Sequence, residues 1–336
     1  MFRNAFFKAE RFRPGQANLA AFLRALQRRG KFFQDLTVQG DAACDILGAT
    51  PLDVISAAHH GLTRLKLTNV VQSSVCSALL RFGALTSLVL EGCTLDGSFE
   101  ARCGALTALQ SLWLEDEEPT EFQPPIEGLS HLTALTHLYI RAGNDLHFPP
   151  LDALRRLHTL HLDMLYSEGD PYVISIDLAP VTSLRSLTLT SEDGFKYNDY
   201  CALSDDGLLA LPHLQELRLV GFRVPGGERT GLATTSLRTL IMARASCDGI
   251  DAAGLSRQPR LRSLQLVDTS MPGSAWAQLN FSRCPKLRGL VLTGEEARCM
   301  HESHERRTVL LFGSKRPPSR LQTSTRRRAA PRCRRA

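Results

Sequence analysis

The chain has 336 residues, 43% hydrophobic, 22% charged and 7% aromatic, which excludes a miniprotein and a wholly disordered chain. No apolar run reaches the roughly 18 to 20 residues that cross a bilayer as a helix, so no membrane association is expected. The nine cysteines form no CxxC pair, and their odd number defeats a complete disulfide scheme. They read as small buried hydrophobes of a reducing compartment, which makes the expected location cytoplasmic, with the nucleus as the alternative.

The formal net charge of +6 is unevenly divided. Residues 1–31 hold eight Lys/Arg against one acid, residues 305–336 eleven against one, and residues 32–304 twenty-one against thirty-two. An acidic body therefore carries two basic ends. A nucleic-acid-binding domain carries its positive charge on a folded face, so the overall pI near 8.9 does not point to a specific nucleic-acid partner.

The first element is helical. Leu19, Phe22, Leu23 and Leu26 fall at i, i+3, i+4 and i+7, between an N-capping Asn18 and a stop at Gly30. Residues 1–31 are read as an amphipathic helical cap over the core that follows. An organellar presequence is the alternative, supported by abundant arginine but lacking serine. Charges throughout the segment leave no apolar stretch for a secretory signal.

From Phe33 onward a repeat dominates. LxxLxL, with Ile or Met allowed last, begins at Leu62, Leu85, Leu109, Leu135, Leu157, Leu184, Leu214, Leu237, Leu261 and Leu287, and a degenerate copy, FQDLTV, opens at Phe33. The spacings run from 22 to 30 residues. Side chains alternate along a strand, so the second and third leucines point inward and the residue between them outward. Each copy is a short strand whose return segment holds a turn, a short helix or 3₁₀ stretch, and a second turn. Stacked copies bury one continuous core that no single copy could bury.

This hexamer resembles the leucine-rich repeat family over residues 33–292. The resemblance implies an α/β solenoid, a horseshoe of about eleven repeats with a parallel concave sheet, here assigned to residues 32–298. The family places Asn or Cys three residues after the last strand leucine. Here only Cys93 matches, with Asp41 and Thr269 as substitutes, so irregular turns are expected. CPKLRGLVL around Cys284 and SDDGLLALPHLQELRL around Leu208 resemble the cysteine-type repeats of F-box/leucine-rich proteins. AAFLRALQRRGKFFQDLTV resembles the segment joining an F-box to its repeats in plant and green-algal proteins, although no F-box is visible before it. That resemblance implies a substrate-recognition part of a ubiquitin ligase, working with Skp–cullin machinery. LHFPPLDALRRLHTLHL resembles the Pro-containing repeats of intracellular scaffolds, implying a cytoskeletal or ciliary-axoneme role instead. An enzyme regulator is a third reading, weakened by the variable repeat length.

Two irregular stretches remain. The long return from Ser191 to Asp206 carries Phe195, Tyr197 and Tyr200, either a second contact site or a segment folded over the convex side. After Leu292 the pattern fails. Val309 to Phe312 is a candidate further strand or cap, and residues 299–336 are read as a basic, disordered tail.

Catalytic motifs are absent. There is no phosphate-cradling GxxxxGK[ST], no GxGxxG after a strand and no GxSxG elbow, and HESHE at His301 lacks HExxH spacing. No enzyme activity, cofactor or metal is expected. Binding is expected instead. The register puts Trp113, Tyr139 and His161 side by side on three successive strands, with Lys66 before them and Arg218 after them in the same outward column. Glu115, Arg141 and Asp163 flank this column on one side and His137 on the other. Aromatics and arginine concentrate at binding hot spots because they offer large rigid contact area. The expected partner is a protein, with the acidic run Glu115 to Glu118 favouring one that presents a basic segment. The bland alternative is that these aromatics and charges satisfy only one another.

Overall fold

The leucine hexamers become strands in register. In a computed structural model, residues 4–8, 34–39, 61–69, 79, 81–93, 103–115, 126–142, 151–164, 173–174, 178–191, 201–203, 211–223, 236–246, 255, 258–270, 281 and 284–293 are described. The strands are β1 Asn4–Lys8, β2 Asp35–Gln39, β3 Arg64–Thr68, β4 Ser87–Glu91, β5 Ser111–Glu115, β6 His137–Ala142, β7 Thr159–Met164 and β8 Val173–Ile174. They continue with β9 Ser186–Ser191, β10 Cys201–Leu203, β11 Glu216–Val220, β12 Phe222–Arg223, β13 Thr239–Ala243, β14 Ser263–Val267 and β15 Gly289–Thr293. Twelve pair in one sheet, in the order β1-β2-β3-β4-β5-β6-β7-β9-β11-β13-β14-β15. Every neighbour is parallel and every leucine meets its counterpart, as in Leu65↔Leu88 and Leu112↔Leu138. This is the leucine-rich-repeat solenoid.

Short helical segments lie between strands, among them helix α1 Ile126–Leu129 and 3₁₀ turns at Cys103–Ala105 and Leu151–Ala153. The long returns after β7 and β9 hold β8 and β10, which join β12 in a second, parallel three-stranded sheet. Neighbouring returns of like course can pair their backbones, which satisfies peptide groups without any helical pattern.

The main sheet also starts earlier than the hexamers do. β1 pairs with β2 along its whole length, Asn4↔Asp35 to Lys8↔Gln39. The expected helix at Leu19 to Leu26, the loop aromatics Phe195, Tyr197 and Tyr200, the run Val309 to Phe312 and the tail 299–336 all lie outside the described residues.

The core is deeper than the hexamer. Besides Leu112 and Leu114 it buries the residue three before each hexamer: Phe82, Leu106, Leu132, Leu154, Val181, Leu211 and Cys284. The backbone explains the spacing, because in eight of the copies the first leucine donates to the carbonyl three residues back, as in Leu109 to Leu106 at 2.9 Å. Turns of three residues line up i and i+3 on one side. At the far end the burial thins, and Leu287, Leu290 and Leu292 of the last described repeat are only partly buried.

Strands end in two ways. Two residues beyond the last leucine the chain turns left-handed at Asn69, Gly92, Gly221, Arg244 and Asp268, with φ between 47° and 72°. Each of these donates its N–H to the next strand's last residue at 2.7–2.9 Å. The next position holds the expected turn-bonding residues. Cys93 Sγ bonds the carbonyls of Leu67 and Glu91, and Thr269 Oγ1 those of Met242 and Val267. Asp41 lies outside the described residues. β6, β7 and β9 instead run one residue further and pair through Ala142↔Met164↔Ser191. The three cysteines with described side chains, Cys93, Cys103 and Cys284, are buried. Burial pushes the Cys284 thiol above its ordinary pKa, partly countered by a backbone hydrogen bond from Gln258.

Candidate functional site

The outward residues of β4 to β7 build a continuous patch on the sheet face. Its centre is aromatic. Trp113 and Tyr139 stack with ring centroids 3.5 Å apart and planes 13° apart, and His161 meets Tyr139 edge-on at 4.5 Å. Strands lie about 4.8 Å apart, so the first two rings lean toward each other. All three side chains are half-buried.

A charge ladder runs beside the rings. Glu115 takes a hydrogen bond from the Trp113 indole Nε1 at 3.1 Å and pairs with Arg141 Nη1 at 2.9 Å. Arg141 Nε reaches Asp163 at 3.5 Å, and Asp163 also accepts from Thr190 Oγ1. One strand earlier, Lys66 pairs with Glu91 at 2.6 Å. Glu91 and Thr190 are additional members of the site. Glu91 stands in the same strand position as Glu115, and that shared position was the available signal. Thr190 carried none, because a threonine in a strand is ordinary.

Burial lowers the His161 pKa; Asp163 opposes this and the Arg218 charge adds to it. The ring is therefore neutral at physiological pH. Arg218 stands two strands beyond His161 in sheet order and is exposed, so it touches the patch only through its field. His137 is exposed at the patch edge, its Nδ1 2.8 Å from Thr136 Oγ1, and forms no part of the ring cluster. Among the described residues no group of three or more His, Cys, Asp or Glu is placed to hold a metal. No described helix is long and apolar enough to cross a membrane.

This geometry defines a class: a leucine-rich-repeat solenoid with a half-buried aromatic and charged patch on its long sheet. The sequence matches no family model and no curated protein. A leucine-rich-repeat protein of Leptospira interrogans resembles it with a TM-score of 0.50 at 19% identity, over 79% of this chain and 67% of that one. The Toll–Spatzle complex of Drosophila resembles it with a TM-score of 0.54 at 16% identity, over 86% of this chain. This chain spans 40% of the length of the Drosophila chain it matches. At these identities the likeness is one of fold.

Proposed function

We propose that this chain is a non-catalytic interaction module that binds a protein partner on the sheet face centred on Trp113, Tyr139, Arg141 and His161. The observation that carries this reading is the Trp113–Tyr139–His161 row, held half-exposed on a rigid sheet by neighbours rather than sunk in the leucine core. Rigid aromatics lose little entropy on contact, which suits an anchor.

The favoured partner presents a basic segment. Around the patch the charges run Lys66, Glu91, Glu115, Arg141, Asp163, alternating except where Glu91 and Glu115 face each other in register. Like charges directly opposite are unfavourable, and a partner's Lys or Arg between them restores the alternation. The strand residue paired with Trp113 on that side is the short Val89.

The finer role proposed is substrate recognition for an F-box-type ubiquitin ligase in the cytoplasm, supported by the cysteine-type repeat at Cys284, whose buried thiol bonds the Leu255 carbonyl. A cytoskeletal or axonemal scaffold is the second reading, supported by the Pro-containing repeat ahead of β7; an enzyme regulator ranks third.

Affinity purification of the tagged chain, beside its Trp113→Ala/Tyr139→Ala variant, separates these. A Skp–cullin set that survives washing supports the ligase role, and cytoskeletal proteins without cullin support the scaffold. The double variant is expected to weaken partner binding by about 2 kcal/mol or more. Undiminished binding would overturn the patch.

A further inference from the structure

The patch uses the outward strand positions, but the turns leading into the strands carry a second, different surface. Arg185, Arg238, Arg262 and Arg288 occupy one position of the repeat, between the first two leucines of the hexamer. Their backbones form a hydrogen-bonded column: Arg288 N–H donates to the Arg262 carbonyl at 2.8 Å, Arg262 to Arg238 at 2.7 Å, and Arg238 to Gln215, which donates to Arg185, each at 2.7 Å. Arg238, Arg262 and Arg288 therefore stack at about strand spacing, near 4.8 Å at the backbone, and Arg185 stands one repeat beyond Gln215. Arg260 and Lys286 join the column from two residues upstream, and all six side chains are exposed.

The ridge cations differ in pairing from the cations on β3 and β6 of the sheet face. On the sheet face Arg64, Lys66 and Arg141 each meet a carboxylate, at 2.5, 2.6 and 2.9 Å. Among the described residues none of the six ridge cations has an ion-pair partner. Glu216 is a carboxylate within the stretch; its N–H donates to the Arg185 carbonyl at 2.9 Å, but its side chain accepts from Ser186 Oγ and makes no described ion pair with a ridge arginine. A file of like charges without counter-charges repels itself and attracts an external anion.

We propose that this ridge, from Arg185 to Arg288, is a docking surface for an acidic polypeptide segment, distinct from the aromatic patch. Guanidinium groups pair carboxylates through two parallel N–H donors, and the run of one guanidinium in each of the three successive repeats at Arg238, Arg262 and Arg288 suits an extended chain laid across the repeats. A single-stranded nucleic acid is the less suitable polyanion, because its binding sites interleave aromatic stacking platforms with the cations. Among the described aromatics, Trp113 and Tyr139 stand on the sheet face, Phe82 and Phe222 in the core, and Phe281 is partly buried against it. The domain's acidic balance hides the ridge, since 32–304 holds more acids than bases overall.

The test uses the full-length chain and a deca-glutamate peptide carrying a benzophenone, with the photo-adducts mapped by mass spectrometry. Adducts are expected in the turns at 236–240, 260–264 and 286–290. The Arg238→Gln/Arg262→Gln/Arg288→Gln variant should lose about tenfold of that labelling, while Arg218→Gln on the sheet face changes it less than about twofold. All three substituted side chains are exposed, so an unchanged melting curve is the folding control. Adducts confined to 1–31 and 299–336, or labelling of the turns that the triple variant leaves intact, would overturn the ridge. Displacement of the peptide by a dT20 oligonucleotide at lower charge equivalents than by unlabelled deca-glutamate would give the ridge to nucleic acid and overturn the stated partner.

Discussion

The carbonyl oxygen of Ser191 occupies the space where a β-carbon on residue 221 would stand, so Gly221 is the one residue type that fits there. β9 runs to Ser191, a residue further than β11, and the chain must leave β11 with φ +72° directly against that carbonyl.

Gly221→Ala therefore combines a left-handed backbone with a collision against backbone that cannot step aside. It is expected to destabilise the fold by about 2 kcal/mol or more. Asp268, in the same turn position with φ 49°, already carries a side chain, so Asp268→Ala should cost roughly 1 kcal/mol or less. Urea unfolding of both variants measures the difference; equal effects would show that the Ser191 contact is unimportant.

Trp113 and Tyr139 are coupled to each other more than to the core. A double-mutant cycle on unfolding free energy should give an interaction of about 0.5–1.5 kcal/mol between them. Leu112→Ala, next to Trp113 in the chain but fully buried, should cost about 2–5 kcal/mol alone. If Trp113→Ala destabilises as much as Leu112→Ala, the indole is a core residue and the patch loses its central anchor.

Thr269 ties the turn after β14 to the carbonyl of Met242 in the repeat before it, at 3.1 Å. Thr269→Val keeps the shape and removes the donor, for an expected loss of about 1 kcal/mol. Thr269→Asn, which restores a donor at this place, should recover part of it. Thermal melts of the two variants, compared with wild type, check the order.

His161 gives the fold a pH dependence of definite sign. Its folded pKa lies below the ordinary value of 6.5, so the folded state binds the proton less tightly than the unfolded chain does. Its neutral form is compatible with full stability above about pH 6.5. Stability is lost as the pH falls below that value, until the pH passes the folded pKa. His161→Gln should flatten this part of the melting-temperature profile between about pH 7.5 and 5. A variant whose profile parallels wild type would assign the acid sensitivity to other groups.

Much of the solenoid was legible because its signal is local and repeated. Leu88 and Leu90, Leu112 and Leu114, and Leu138 and Ile140 each alternate within five residues, and that alternation alone sets which side chains face out. The row Trp113, Tyr139, His161 followed from the same register, as did the flanking Glu115, Arg141 and Asp163. β1 was not legible, because NAFFK has no leucine hexamer and becomes a strand by pairing with the exposed edge of β2. β8, β10 and β12 were hidden for the same reason: they are strands only because neighbouring returns lie alongside one another.

Which residues meet across repeats is a different kind of fact from which residues face outward. Side-chain direction follows from backbone alternation within one strand, so the amino-acid sequence by itself determined the hexamer leucines of the core, the sheet register and which strand residues face outward. Contact between residues some 22 to 30 positions apart depends on how side chains lean, reach and compete once the strands are stacked. The tertiary structure alone decided that Trp113 leans onto Tyr139, that Arg141 is shared by Glu115 and Asp163, and that Lys66 goes to Glu91. It also left the arginines of the turns stacked with no ion-pair partner among the described residues, because in-register stacking brings equal positions of successive repeats together whatever residue stands there.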